Sequence, residues 1–359
     1  MRRFVCSFAI VFLLAAMVAG QKLEPPKLEP TKPTESQLAL IREAVALHDK
    51  GDYDGAIERY LRVLKESPDC VAALYEMSFS YYAKKDYQKS IETGYKAAQY
   101  KSDLLAAIYV QIGTCVDELG NSKQAIEVYK SGIKMNPSDA LLHYNLGVTY
   151  ARTGQLDDSR AVLKKAAVFD PNHKSSQLLL STVFDKGNYR IPALLAACRF
   201  LILEPNSTRS ERALKSIQQI MGAGVYRKSE KEINIFVEEQ QKKDEGDFGP
   251  VDLFLKLSKA ANYAEENKNK TEMELLIHNF ESLFAVLSET TVKEGSKFTW
   301  KYYAPYFVEL KKQGYTETFV YLINRRSGIA GVFEWLDQNQ KKLADFLAWS
   351  RAYQWPKTD

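Results

Sequence analysis

Cysteine and histidine are scarce: the chain has four of each among 359 residues. Cys6, Cys70, Cys115 and Cys198 are too few and too scattered for a disulfide framework, and they lack the paired spacing of a zinc site. Cys115 and Cys198 fall inside apolar helical patterns and read as small packing residues; a Cys70–Cys115 bridge is the lesser alternative. His48, His143, His173 and His278 include no pair four apart, so no His-Glu-x-x-His metal helix exists. An excess of either charge is missing too. With 49 basic and 45 acidic residues the net charge is +4, which gives no electrostatic case for nucleic acid or an anionic membrane. Two short matches to chemical motifs fail on context. Asp52-Tyr53-Asp54-Gly55 has Lys50 and Leu61 where a calcium loop needs its first and twelfth ligands. Ser131 to Lys134 fits Ser-x-x-Lys without its companion motifs and reads as a solvated helix face. These absences leave no catalytic residue, metal site or cofactor to name, and a non-enzyme is expected.

Long apolar runs are also lacking, apart from Phe4 to Val18. Arg2 and Arg3 precede that run and Val18-Ala19-Gly20 closes it, the layout of a secretory signal over residues 1–20. Its length is short for a spanning helix, and a retained anchor is the alternative reading. Export to a bacterial periplasm or to the medium is expected, with no stable membrane insertion after cleavage. Residues 21–36 form a proline-rich linker, with Lys-Leu-Glu-Pro at 22–25 and again at 27–30, expected as a disordered tail after cleavage; an extended spacer from a surface is the alternative.

From Gln37 to Pro205 the sequence repeats itself. Small residues recur at Ala44, Ser78, Gly113, Gly147 and Ser181, and again at Ala56, Ser90, Ala125, Ser159 and Ala193. Large apolar residues recur at Leu47, Tyr81, Val116, Tyr150 and Phe184. Each series steps by 34, 35, 34 and 34. Prolines close the units at Pro68, Pro137, Pro171 and Pro205, with Ser102 in the remaining slot. That period is one helix–turn–helix unit, too small to bury a core alone. Apolar positions have helical spacing within each unit: Leu142, Leu146 and Tyr150, then Leu156, Val162, Leu163 and Ala166. Gly51, Gly120 and Gly154 mark the turn, with Lys85 and Asn188 standing in for glycine elsewhere.

Leu146-Gly147 to Tyr150, Ala125 to Tyr129 and Ala56 to Tyr60, each followed by a closing proline, resemble the tetratricopeptide repeat. Gly94 and Ala197 depart from its aromatic slot. The resemblance implies an all-α fold, a right-handed α-solenoid of about five repeats at 37–70, 71–105, 106–139, 140–173 and 174–207. It also implies that first helices line a concave face holding a peptide or protein segment. Positions expected to be exposed there are Tyr75, Glu76, Phe79, Tyr82, Gln111, Thr114, Asp117, Glu118, Tyr144, Asn145 and Arg152. The plainer alternatives are that Tyr75, Phe79 and Tyr82 pack between units and that Asp117 and Glu118 form a solvated face. Ile41 and Val45 occupy slots where the carboxylate-binding version of this groove has Lys and Asn, so recognition of a chaperone C-terminus is not expected.

Residues 208–359 read as a helical C-terminal domain with one short strand or hairpin, resembling no named family. A helix is expected over Ser210–Met221, broken by Gly222-Ala223-Gly224, then a strand at Ile233, Ile235 and Val237 and a charged loop from Lys242 to Gly249. Five helices follow. The first presents Leu253, Leu255, Leu257, Ala260 and Ala261; the second spans Met273 to Leu287; the third holds Tyr303 to Leu310 with Pro305 as an early residue. The fourth carries Phe319 and Ile323, and the fifth runs from Ile329 to Leu347. All four tryptophans lie in the last sixty residues. The region is expected either to cap the last repeat or to hold a small-molecule pocket lined by Trp300, Tyr302, Tyr306 and Trp335. Function divides the same way. The first reading is an exported interaction scaffold with an unidentified protein or peptide partner. The alternative is an accessory small-molecule-binding or hydrolytic protein with its site in the aromatic region.

Overall fold

Thr34 opens the first helix. Its hydroxyl accepts from the Gln37 amide while its own N–H donates to the Gln37 side chain, a reciprocal cap. A computed structural model describes residues 24–229, 232–237, 244–290 and 297–357. The signal expected at 1–20 lies outside them. The chain divides into two compact units, one ending at Val162 and the other starting at Leu163, inside the fourth repeat. Among the described residues no helix is long and apolar enough to cross a membrane.

The first unit is a series of helical hairpins: α1 (Glu35–Asp49) with α2 (Tyr53–Glu66), α3 (Val71–Ala83) with α4 (Tyr87–Ala97), α5 (Leu105–Glu118) with α6 (Ser122–Met135), then α7 (Ala140–Arg152) and the start of α8 (Leu156–Phe169). The reversal inside each hairpin needs a left-handed residue. Gly51, Gly120 and Gly154 have φ near +80°, and Lys85 adopts +63° in the same slot. Asp52, Asp86 and Asn121 then cap the second helices through their side chains. The two small-residue series meet across each hairpin. Ser78 Oγ donates to the Ser90 carbonyl at 3.0 Å, and Ser90 Oγ returns to the Ser78 carbonyl at 2.8 Å. Ser159 Oγ reaches the Gly147 carbonyl at 2.7 Å. A larger side chain in either slot would force the backbones apart. At Gly113 a Cβ would sit 2.4 Å from the Tyr129 ring.

The linker departs from expectation. Helix α1 starts at Glu35, and residues before it dock rather than trail. The Leu28 N–H donates to the Gln99 carbonyl at 3.2 Å, Lys101 N–H donates to the Leu28 carbonyl at 2.8 Å, and Thr31 gives two hydrogen bonds to Asp69. Between Pro26 and Pro30 the Lys27 and Leu28 amides both donate to the Gln99 carbonyl, so these backbone donors find their partner on the repeats.

In the second unit α9 (Lys174–Lys186) pairs with α10 (Arg190–Leu203) by the same device: Ser181 Oγ donates to the Ala193 carbonyl at 2.9 Å, and Asn188 holds the turn at φ +63°. Helix α10 is buried at every position from Ile191 to Ile202. Helix α11 (Thr208–Gly222) follows, then β1 (Val225–Ser229) and β2 (Glu232–Ile235) as an antiparallel hairpin with Val225 opposite Ile235. The sequence pointed only to the second strand, because Tyr-Arg-Lys-Ser in β1 has no apolar alternation. The unit continues with α12 (Gly249–Ala261), α13 (Glu272–Glu289), α14 (Phe298–Lys312), α15 (Thr316–Ile323) and the pair α16 (Val332–Gln338) and α17 (Gln340–Ala352). That pair replaces the single fifth helix expected. Asn339 breaks it, its side chain bonding the Trp335 carbonyl at 2.9 Å.

Helices α14 and α12 also depart from expectation. Pro305 lies in the interior of α14, not at its start. Buried Trp300, Tyr302 and Tyr303 hold the preceding turns helical despite the ladder bond that proline removes. Helix α12 buries Val251, Asp252, Leu255 and Lys256, while Leu253 and Leu257 are exposed. The inward face accepts charge because Asp252 pairs with Lys256 at 2.8 Å and with Arg190 at 2.8 Å. Phe280, Phe284, Phe307 and Phe319 form the core of this unit, with ring centroids 5.2–6.0 Å apart.

Candidate functional site on the first-helix face

The first helices of the first unit, α1, α3, α5 and α7, carry the positions singled out for binding. Their exposed side holds a row of rings. His48 on α1 stacks on Phe79 of α3 at 5.1 Å, Phe79 stacks on Tyr82 at 6.3 Å, and Tyr82 meets Tyr87 at 5.7 Å. Phe79 is 39% exposed, an unusual state for a phenylalanine with stacked neighbours. Tyr75 and Tyr82 are half-buried and pack partly against the unit's core. His48 was not among the sequence candidates. The repeat period could have found it, for it occupies the same slot as Tyr82 one unit earlier.

Acidic groups flank this row without cations. Among the described residues no lysine or arginine pairs with Asp49, Glu76 or Glu118. Burial, reinforced by the Asp49 carboxylate, raises the Glu76 carboxyl above its ordinary range. Burial and then Glu76 itself raise the Tyr75 hydroxyl, and burial and then Glu118 raise that of Tyr82.

The other candidates separate. Gln111 is a correction: it is 7% exposed, with its amide against Ser90 Oγ and Cys115 Sγ, because its slot faces the α4–α5 packing. Burial pushes the neighbouring Cys115 thiol up to about 11. Asp117 is not free for a ligand. It pairs with Arg152 and accepts from Thr149 Oγ1 at 3.0 Å, tying two successive repeats. Thr114 bonds the Tyr129 hydroxyl at 3.2 Å, and Asn145 donates back to the Leu141 carbonyl at 2.8 Å. Tyr144 and Asn145 are half-buried on α7, and Glu118 is exposed at the end of α5.

The four C-terminal aromatics do not share a pocket. Trp300 lies flat on Phe248 at 4.5 Å, and Trp335 lies flat on Tyr321 at 4.1 Å. Tyr302 and Tyr306 are fully buried, both against Trp355 at 4.6 and 4.8 Å. Other rings fill the faces that a ligand would need. Cys70, Cys115 and Cys198 are buried and unbridged. Among the described residues no group of three or more His, Cys, Asp or Glu could hold a metal ion.

Family models of the tetratricopeptide repeat match residues 41–103 and 140–173, and a model of the TPR repeat matches 118–154. These segments are tetratricopeptide repeats. Among curated proteins, the BBSome complex member bbs-4 of Caenorhabditis elegans is 31% identical over 72 residues, 20% of this chain. The aligned stretch spans 16% of the length of that relative. Among solved structures, TTC0263, a thermophilic TPR protein of Thermus thermophilus, is similar at 23% identity over 51% of this chain and 99% of that one, with a TM-score of 0.43. PilW, a type IV pilus biogenesis factor, is similar at 16% identity over 53% of this chain and 92% of that one, with a TM-score of 0.45. Tetratricopeptide repeats generally serve as protein-interaction surfaces, and the aromatic row lies on helices of such repeats.

Proposed function

We propose that this protein is an exported, non-enzymatic scaffold that binds an extended protein segment along the first-helix face of its repeats. The observation carrying this reading is the ring row from His48 through the exposed Phe79 to Tyr82 and Tyr87, beside three carboxylates that pair with no lysine or arginine among the described residues. Aromatic faces give contact area at low entropic cost, and acids of one sign, with Glu76 half-buried among them, favour a basic partner. The preferred segment therefore combines lysine or arginine with apolar or aromatic residues. The charged start, apolar run and small-residue site within residues 1–20 support export.

A displayed library of random twelve-residue peptides tests the binding claim. Enrichment of basic, apolar sequences is expected, with binding by the selected peptides reduced about tenfold or more by Phe79→Ala with Tyr82→Ala. Peptides that bind the double variant unchanged would remove this face from the function. Export is tested by the mass of protein recovered from the periplasm of a bacterial host. Loss of residues 1–20 supports it, and an intact N-terminus in the cytoplasm refutes it.

A further inference from the structure

Arg199 sits midway along α10 and is 0% exposed. Its guanidinium donates to Ser350 Oγ at 2.9 Å, to the Tyr306 hydroxyl at 3.4 Å, to Asn172 Oδ1 at 2.8 Å and to the Pro171 carbonyl at 3.4 Å. Every one of these acceptors is neutral. Its Nε–H has no partner, and among the described residues no carboxylate pairs with it. Arginine does not shed its proton inside a protein, so a full positive charge is buried here with no carboxylate bonded to it among the described residues; Asp170, beside Pro171, acts on the adjoining Tyr302 only at longer range.

Aromatic faces supply the electrostatic contacts that the described residues give this cation. The guanidinium lies 5.3 Å from the Tyr306 ring and 4.8 Å from the Trp355 ring. Trp355 belongs to residues 353–357, which follow α17 without regular structure. Among the described residues no hydrogen bond joins that segment to another element; the Gln354 amide bonds only the Ala352 carbonyl. Ring contacts alone seat it: Trp355 against Tyr302 at 4.6 Å, Tyr306 at 4.8 Å and Tyr353 at 5.2 Å. Trp355 itself is only half-buried, while the rings and guanidinium beneath it are closed to solvent. It is a plug over a charged floor.

We propose that the slot filled by Trp355 is a binding site for an aromatic carboxylate, and that the C-terminal segment is its built-in competitor. The slot already fits an indole. Trp355 supplies the ring but not the anion, because its own carbonyl is in an amide to Pro356. A ligand bearing both would keep the stacking on Tyr302 and Tyr306 and offer a carboxylate to the Arg199 Nε–H, the guanidinium donor that has no partner among the described residues. A free aromatic amino acid and a peptide ending in an aromatic residue share this chemistry.

The test uses full-length Trp355→Ala, with folding checked by circular dichroism and binding read by ligand-observed NMR. N-acetyltryptophan is expected to bind this variant about tenfold more tightly than it binds the unaltered protein, and about tenfold more tightly than N-acetyltryptophanamide does. Adding Arg199→Met should erase the preference for acid over amide while leaving ring binding. Free tryptophan binding as well as the acetyl form assigns the site to an amino acid; clear preference for the acetyl form assigns it to a peptide C-terminus. A folded variant that binds neither acid nor amide, or both equally, overturns the proposal. If Trp355→Ala does not fold, a chain ending at Ala352 takes its place. Failure of both to fold also overturns it, since the segment would then be part of the core and not a competitor.

Discussion

Helices α6 and α10 occupy the same place in their repeats and live in opposite surroundings. Ala125 of α6 and Ala193 of α10 share a slot, so Glu127 corresponds to Leu195, Lys130 to Cys198, Ser131 to Arg199 and Lys134 to Ile202. In α6 those positions are charged or polar and mostly exposed; in α10 all four are buried. A repeat helix is ordinarily amphipathic, one face against its neighbours and one in water. Helix α10 has no water face, because within its unit it packs also on α12, α14 and α15. One repeat template thus serves both as a surface module and as the centre of a core. The choice is made by the residues that the repeat pattern leaves unspecified.

Exchanging residues between the two helices is the severest way to break that comparison. Leu195→Glu places a carboxylate where nothing can pair with it, and a loss of roughly 4 kcal/mol or more is expected, enough to abolish cooperative folding of the second unit. The reverse change, Glu127→Leu, should shift stability by no more than about 0.5 kcal/mol. Urea unfolding followed by circular dichroism measures both. Equal effects would show that α10 is no more enclosed than α6.

The same contrast explains what could be read from the chain beforehand. The hairpins were legible because their landmarks are local: a small residue, a left-handed turn and a closing proline, repeated in phase. Even Lys85 and Asn188 could be assigned, since the period placed them in a glycine slot. The C-terminal helices were legible as apolar stretches, but their inward faces were not. Apolar counting chose Leu253 and Leu257 for α12, whereas Asp252 and Lys256 face inward because Arg190, some sixty residues earlier, completes their charge balance. Likewise Trp300, Tyr302, Tyr306 and Trp335 look like one cluster in sequence and are divided among different ring partners in space. On the binding face, Gln111 and Asp117 had the right slots and the wrong freedom. Ser90 and Arg152, each from a different repeat, already engage them.

A finer test concerns the two turns that lack glycine, one in each unit. Lys85 and Asn188 both sit at φ +63°, but asparagine tolerates the left-handed region far better than lysine. Lys85→Gly is expected to stabilise the first unit by about 0.5–1 kcal/mol, the relief of strain exceeding the added entropy of the unfolded chain. Asn188→Gly should gain less, near zero. Thermal unfolding of the two variants gives the order, and a larger gain at 188 would mean that Asn188 is the more strained of the two.

The smallest expected effect contrasts two charges of opposite sign that have no salt-bridge partner among the described residues, the buried Arg199 in the second unit and the half-buried Glu76 in the first. The Glu76 carboxyl is raised chiefly by burial and then by Asp49, so the folded state holds its proton more tightly than the unfolded chain does. For a carboxyl shifted in this direction, the stabilising contribution is complete below the unfolded value, about 4.3, and is lost as pH rises through the higher folded value. At neutral pH the ionised group therefore costs stability. Glu76→Gln should raise the melting temperature slightly at pH 7, and the gain should vanish as pH falls below about 4. The same substitution should weaken binding of a basic peptide. A residue that costs stability at neutral pH and is needed for the partner marks a binding site, whereas a gain in stability with unchanged binding would make Glu76 a solvated carboxyl with no ligand to meet.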